Sequence, residues 1–546
     1  MAYEPIRVAW PNQRLIHVDD RVLVIDKPRG LPVHGGSPDF DDVVTRLSRW
    51  LVDQGQGEYL SVHSRLDKEV SGVMVLGRLP ADNQAIAHEF ESRGVVKRYV
   101  AVVRDYGLPV RFEMRDQLQP SERGPTRVVS SGGVEAVTEA CVSSRKHGRA
   151  LVELWPKTGR RHQLRAQLAH RGAPICGDAL YQGDPASRLM LHAASIESNA
   201  LGWQFASELP EEFSELGRGK TLGSREHLRQ LLFDSAWLRE PLFRSSDAQR
   251  LVNAHGDGLA GIAVDRFGDW AVAELSSDEA FARRAELCDA ILALGARGVY
   301  TKCRLRRDLR HENVEELAPK VPDVGEGAPP ALTVNEQGLS VEVSLGDGWD
   351  VGLYVDQREN RRRVMGMSKE RAVLNLFGYT GSFSVAAALG GAKHTVTVDI
   401  SRRALERARR NFELAGIAPG SAHHFVREDV VEWLERACRK EQRFDIVILD
   451  PPSFSTLGKG RVFKLEERWE QLLAGAIHLL HPLGQLLVIS HERAVGPKAL
   501  RRRIQHVAEQ LGHTPPAVRD ISPAVDVPPG PDGPWPSFGL WVALRA

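Results

Sequence analysis

From Ala372 onward the chain alternates short apolar runs with amphipathic stretches, and this alternation constrains the fold more than any other feature of the sequence. Val373–Leu376, Thr395–Val398, Phe425–Val426, Ile446–Leu449 and Gln485–Ile489 read as strands. Phe383–Leu389, Arg402–Ala415, Val430–Arg439 and Trp469–Leu480 read as the helices between them. A β-loop-α repeat of this kind predicts a doubly wound α/β domain with a parallel sheet and right-handed crossovers over 346–546. The first part of the chain lacks that rhythm. Its strand candidates, Val22–Ile25, Val73–Leu76, Tyr99–Val103 and Leu151–Leu154, are separated mainly by turn-rich loops, with helices expected at Asp82–Ser92 and Arg161–His170. That pattern predicts an α+β domain with a mixed or antiparallel sheet over 1–213. A polar linker and a helix at Arg225–Leu232 fill 214–245. A small α+β subdomain over 246–345 follows, with strands Gly261–Val264 and Ala271–Leu275, a helix Asp278–Ala293 and a loop Pro322–Pro330.

At 546 residues the chain exceeds what one hydrophobic core supports, which agrees with several domains. A formal net charge of +1 gives no global attraction to nucleic acid, so any such binding must come from local patches. Arg361-Arg362-Arg363 and the group Arg304, Arg306, Arg307 and Arg310 are candidates, since guanidinium forks suit phosphate. The five cysteines have no paired spacing, so neither a disulfide framework nor a zinc site is expected, and His423-His424 reads as ordinary loop. No segment resembles a leader or a membrane span; the expectation is a reduced, cytoplasmic protein.

One segment of the first domain carries chemistry. In His63-Ser64-Arg65-Leu66-Asp67-Lys68-Glu69-Val70-Ser71-Gly72, a carboxylate lies in a turn before the apolar run Val73–Leu76. It resembles the catalytic segment of the RluA-type pseudouridine synthases, Arg-Leu-Asp, two residues, Thr-Ser-Gly. Ser64 and Val70 depart from that pattern, where the family has histidine and threonine. Lys97-Arg98-Tyr99-Val100-Ala101 resembles the family's Lys-x-Tyr-x-Ala segment, and Thr158-Gly159-Arg160-Arg161-His162-Gln163-Leu164-Arg165 its Thr-Gly-Arg-x-His-Gln-Ile/Leu-Arg segment. Asp26-Lys27-Pro28-Arg29-Gly30-Leu31, Pro174–Asp178, Tyr181 and Leu191-His192-Ala193 continue the order, so the likeness covers about 14–213. The resemblance implies that Asp67 is catalytic, that Tyr99 stacks on the target base and that Arg165 pairs with Asp67. Arg65, two residues before the carboxylate, suits a side chain entering the space a flipped base leaves. A carboxylate can attack ribose or base, or remove a proton, without a cofactor.

The second domain offers a different site. Val373–Leu376 runs into Phe377-Gly378-Tyr379-Thr380-Gly381, whose glycines permit close backbone approach at the carboxyl end of a strand. Asp399 ends the next strand, placed for ribose hydroxyls, and Asp429 the third, placed for an adenine amine. The turn lacks dinucleotide glycine spacing and a phosphate-binding Gly-Lys-Ser/Thr, which counts against an oxidoreductase or a nucleotide triphosphatase. Ile446–Leu449 leads into Asp450-Pro451-Pro452-Ser453-Phe454, an extended loop that turns a carboxylate, and Phe454 as a stacking surface, toward a flat substrate. The combination resembles class I methyltransferases that use S-adenosyl-L-methionine on nucleobases. Arg250–Leu259 and Tyr354-Val355-Asp356-Gln357-Arg358-Glu359-Asn360-Arg361 resemble segments of the RlmI and RlmK groups, which act on large-subunit ribosomal RNA. By that likeness Asp356, Gln357 and Arg358 lie beside the methionine end of the cofactor, Asp450 faces the base, and the 246–345 subdomain contacts RNA.

The expected protein is therefore a two-headed RNA-modifying enzyme. It forms pseudouridine without a cofactor in its first half, and methylates a base of large-subunit ribosomal RNA with S-adenosyl-L-methionine in its second. The competing readings are an RNA-binding ribosome assembly factor with one active head, and a 5-methylcytidine-forming enzyme. Carbon-5 methylation needs a thiolate to add to carbon 6. In RlmI-like enzymes that cysteine follows the strand after the Asp-Pro-Pro loop, where this chain has Leu487-Val488-Ile489-Ser490-His491. A guanine nitrogen is therefore the expected acceptor.

Overall fold

The strands Val22–Lys27 and Ser71–Gly77 carry apolar residues on both faces, and the reason is burial from both sides. Leu23, Ile25, Met74 and Leu76 enter one core while Val22, Val24, Val73 and Val75 enter another. The computed structural model describes residues 12–35, 41–121, 124–214, 216, 222–305, 314–418, 420, 422–458, 461–492, 495–521, 524–529 and 537–544. Arg306, Arg307, Arg310 and the side chain of Phe454 lie outside what is described.

The first part of the chain builds one large mixed sheet. Its order is Leu15–Val18, Val22–Lys27, Ser71–Gly77, Leu191–Ser198, Val96–Arg104, Arg149–Pro156, Val134–Lys146, Arg111–Gln119 and Arg127–Val129. Ser71–Gly77 and Leu191–Ser198 are parallel and so close at Gly72 that a Cβ there would stand 2.2 Å from the Ala193 carbonyl oxygen. Glycine is required at that crossing, which fixes the loop just before it.

The helix expected at Arg225–Leu232 continues to Leu238 and is no tether. Its Leu228, Leu231, Leu232 and Trp237 share one apolar cluster with Leu23 of the first sheet, with Leu47 of the helix Val43–Asp53, and with Leu251 and Val264 of the next sheet. Arg46 donates to the carbonyls of Trp237 and Leu238 at 2.5 and 2.8 Å, satisfying acceptors that a helix end leaves open.

In the small subdomain Ala248–Asn253, Ile262–Phe267, Trp270–Leu275, Gly298–Cys303 and Val324–Gly325 form a sheet, the last pair inside the expected loop. The helix expected over Asp278–Ala293 breaks at Arg283 into Asp278–Ala282 and Arg284–Leu292. Arg283 forks onto Glu286 and donates to the Gly223 carbonyl, a tertiary tie that local sequence does not announce.

The last sheet has the order His423–Arg427, His394–Asp399, Ala372–Leu376, Phe444–Leu449, Leu480–Ser490, Phe538–Ala543, Ala517–Asp520. The first five strands are parallel, as expected of the doubly wound pattern. Phe538–Ala543 runs antiparallel to Leu480–Ser490 and to Ala517–Asp520. His423 and His424 belong to an edge strand, not a loop; the His423 ring lies 2.9 Å from Thr395 Oγ1. No helix among the described residues is long and apolar enough to cross a membrane.

Candidate active sites

Asp67 follows buried Leu66 and precedes Val70, whose amide closes the turn on the Asp67 carbonyl at 3.1 Å. The turn is held from beneath. Lys27, fully buried, donates to the Lys68 carbonyl at 3.2 Å and the Gly30 amide to the same oxygen at 2.8 Å. Arg165, on the helix Gln163–His170, donates from Nη1 to Asp67 Oδ2 at 3.0 Å. Its Nε and Nη2 fork onto Asp178 at 2.6 and 2.8 Å, and its guanidinium stacks 5.3 Å from the Tyr181 ring centroid. Three fixed contacts leave the guanidinium one orientation, so it presents a single N–H to Asp67.

His162 sits at the start of that helix in left-handed backbone, φ 53°, with Nε2 3.8 Å from Asp67 Oδ2 and Nδ1 3.2 Å from the Tyr181 hydroxyl. Burial lowers its pKa. Tyr99, on Val96–Arg104, is partly buried beside Asp67; burial first, then that carboxylate, raises its phenol pKa. Arg65 is exposed at the loop surface. The structure thus brings Asp67, Tyr99 and Arg165 together as expected and leaves Arg65 outward. Sequence reading gave no role to His162, Asp178 or Tyr181, although all three stand in the quoted motifs.

In the last domain the turn after Ala372–Leu376 is strained: Phe377 and Tyr379 have positive φ, 57° and 48°, in series with Gly381 at 74°. A Cβ at Gly378 would stand 2.4 Å from Thr397 Cγ2, and one at Gly381 2.8 Å from Ala408 Cβ, so these glycines serve close packing within the fold. The Thr380 hydroxyl turns inward to the Gly352 carbonyl. Asp399 accepts from the Tyr379 and Ser401 amides at 2.9 and 2.8 Å, and burial raises its pKa. Asp429 caps the helix Val430–Arg439 through Oδ1 alone among the described contacts.

Asp356 accepts from Ser537 Oγ and from Gln357 Nε2. Burial works against its charged form, yet Arg250, His491 and these donors hold its pKa below the ordinary value. Arg358, 1% exposed in its side chain, is committed elsewhere: its guanidinium forks onto Asp526 at 2.6 and 2.8 Å. Arg361 likewise forks onto Glu336 and is buried, so it is unavailable to RNA phosphate, while Arg304 pairs with Asp350.

Asp450 ends the central strand, and its Oδ1 lies 2.8 Å from Nε2 of His491. Burial lowers the pKa of this imidazole, but the charges of Asp450 and Asp356 outweigh it and lift the value to about 9. The Tyr354 ring lies 6.4 Å from that of His491 and 5.8 Å from that of Tyr379. Asp356, Asp399, Asp450 and His491 therefore converge at the carboxyl ends of the parallel strands, where such folds bind ligands. His491 carried a sequence signal, its place after the strand following the Asp-Pro-Pro loop, that was read only as the lack of a cysteine.

Residues 21–170 match the RNA pseudouridylate synthase family, and residues 324–528 the S-adenosylmethionine-dependent methyltransferase family. Fold and sites define an enzyme that joins a pseudouridine synthase domain to a methyltransferase using S-adenosyl-L-methionine. Ribosomal RNA large subunit methyltransferase I of Erwinia tasmaniensis is 33% identical over 302 residues, 55% of this chain and 71% of that protein. The namesake from Aeromonas salmonicida is 29% identical over 382 residues, 69% and 92% of the two chains. A solved putative methyltransferase from Streptococcus mutans shares the fold at TM-score 0.52, with 23% identity, covering 65% of this chain and 87% of its own. The chain belongs to the family of ribosomal RNA large subunit methyltransferase I, with a pseudouridylate synthase domain ahead of it.

Proposed function

We propose that both heads are active on large-subunit ribosomal RNA, the first isomerising a uridine and the second methylating a guanine nitrogen. The single observation that carries the pairing is that each head presents a carboxylate already held by a cation, Asp67 by Arg165 and Asp450 by His491.

In the first head Asp67 is the nucleophile or base, Arg165 aims it, and Tyr99 is a stacking surface. A phenol whose pKa is raised by burial is a poor proton acceptor at neutral pH, so the ring, not the hydroxyl, is what Tyr99 contributes. The bond from N1 to C1′ breaks, that from C5 to C1′ forms, and the C5 proton leaves as N1 gains one. Exposed Arg65 enters the space the uridine vacates.

In the second head the residues suit the cofactor. Asp399 offers a carboxylate at a strand end for ribose hydroxyls, Asp429 Oδ2 an acceptor for the adenine amine, and Asp356 an ionised carboxylate for the amino group. Gln357 holds Asp356, Arg358 anchors their turn through Asp526, and Phe377, Gly378, Thr380 and Gly381 form the cofactor-side wall. When bound, S-adenosyl-L-methionine supplies an electrophilic methyl group. Asp450 and His491 orient the base edge against it, which is the contribution a ring nitrogen with its own lone pair requires. The place of a carbon-5 thiolate is taken by His491. Cys438, the cysteine nearest in sequence before the Asp-Pro-Pro loop, lies on a helix with Sγ 3.9 Å from the Gly475 carbonyl, its thiol pKa raised by burial.

The test is nucleoside analysis of protein-free 23S-type ribosomal RNA incubated with the protein, with and without S-adenosyl-L-methionine. New pseudouridine in both arms and a methylguanosine only with the cofactor are expected; 5-methylcytidine as the methylated product overturns the acceptor assignment.

A further inference from the structure

We propose that the cleft between Phe90 and Trp155 is a second RNA subsite of the first head, taking the nucleotide next to the target uridine. Its base lies against the two rings and its phosphate on Lys97. The proposal rests on the pseudouridine synthase reading and adds to it a site for a neighbour that is not itself modified.

The cleft measures about 270 Å³ and is bounded by Phe90, Trp155, Lys97, Gly159 and Arg160. Lys97 precedes Tyr99 by two positions on one strand, so both side chains leave the same face. It also walls a small cavity that reaches Leu66 and Tyr99, so one ammonium borders both the catalytic loop and the cleft. Its Nζ lies 5.7 Å from the Phe90 ring centroid. No carboxylate pairs with it among the described residues, and burial alone lowers its pKa. A partly buried cation without a counter-charge is unfavourable until an anion arrives, and the anion that RNA brings here is a phosphate.

The rim repeats the chemistry. Arg93, Lys157 and Arg160 stand on it against one acid, Glu91, and Lys157 is tied to Glu139 at 3.0 Å. Gly159 also lines the cleft, and a Cβ there would stand 3.9 Å from Lys97 Nζ, so the ammonium reaches this part of the wall. Aromatic rings beside cations are how proteins hold single-stranded bases without reading their edges. The subsite is therefore a positioning device: it holds the neighbour so that the target base is left for Tyr99 and Asp67.

The probes are fluorescein-labelled hexauridylate and the same strand built from abasic ribose phosphates, bound to the full chain and followed by anisotropy. Wild type should prefer hexauridylate roughly tenfold. Trp155→Ala should lose most of that preference while holding the abasic strand as before, and Trp155→Phe, which keeps a ring, should retain it. Lys97→Gln should weaken both strands alike and reduce the slope of log Kd against log salt by about 0.7. Equal weakening of both strands by Trp155→Ala, or no change in either, overturns the subsite; Phe90→Leu carries the same comparison if Trp155→Ala does not fold. Asp67-dependent pseudouridine formation by wild type separates the two failures. If it is present while Trp155 proves neutral, only the subsite falls; if it is absent, the synthase reading falls first.

Discussion

His491 Nε2 stands 2.8 Å from Asp450 Oδ1, so the carboxylate of the Asp-Pro-Pro turn is bound to an imidazolium before any base arrives. With its folded pKa lifted to about 9 from an ordinary 6.5, His491 stays protonated through neutrality. A raised pKa contributes stability that is complete below the unfolded value and lost as pH climbs through the folded one. The window here is about 6.5 to 9. Proton-detected NMR of the His491 ring should titrate near the upper limit in wild type and below neutrality in Asp450→Asn. A midpoint unchanged by Asp450→Asn would break the pairing.

Asp67→Asn should abolish pseudouridine formation and leave methyl transfer within about twofold, because Asp67 lies in a partly exposed turn whose backbone ties do not involve its carboxylate. Nucleoside quantification on one RNA sample reads both activities. Joint loss in a folded variant would disprove separate chemistries.

Arg165→Lys keeps a positive charge but cannot hold Asp67 and fork onto Asp178 together. Pseudouridine formation should fall about a hundredfold through misplacement of Asp67. Arg165→Ala leaves Asp178, 1% exposed, without its cation and should cost roughly 3–5 kcal/mol of stability. Rate measurements on the first variant and thermal melts on both distinguish aim from fold.

Asp399→Ala should weaken S-adenosyl-L-methionine binding at least tenfold, whereas Asp450→Ala should slow transfer with cofactor affinity nearly unchanged. Calorimetry with the cofactor against both variants checks this. Equal loss of affinity in the two would move Asp450 to the cofactor side.

Local periodicity is what made the last domain legible. Its strands and helices fall within a few residues of the expected ones because each unit of a parallel sheet announces its own hydrophobic period. The antiparallel pair Ala517–Asp520 and Phe538–Ala543 escaped because it is joined through a Pro- and Gly-rich stretch with no helical rhythm. At the sites, Asp67, Tyr99 and Arg165 were legible because motif order places them, and Asp450 because two prolines mark its loop. Arg358 and Arg361 misled: the first reads as a cofactor contact and the second as a phosphate contact, and only tertiary packing reveals that Asp526 and Glu336 stand opposite them. The helix Arg225–Leu238 misled for the same reason, since nothing local says that both its sides will be covered.

Asp257 and Asp526 lie where the three parts of the chain meet. Arg239, which caps the helix Arg225–Leu238, forks onto Asp257 at 2.9 and 2.7 Å and also reaches the Asp526 carbonyl, while Arg358 grips the Asp526 carboxylate. Arg29, two residues from the lysine that supports the Asp67 turn, donates to the Asp257 carbonyl. Arg239, Asp257, Arg358 and Asp526 are sheltered from water, so dropping one partner strands another. A lineage that ceased to need one of its two catalytic domains would have no clean place to discard it. Decay of the idle half would be felt as instability in the working half, and selection would preserve the scaffold of both long after the reason for one had gone.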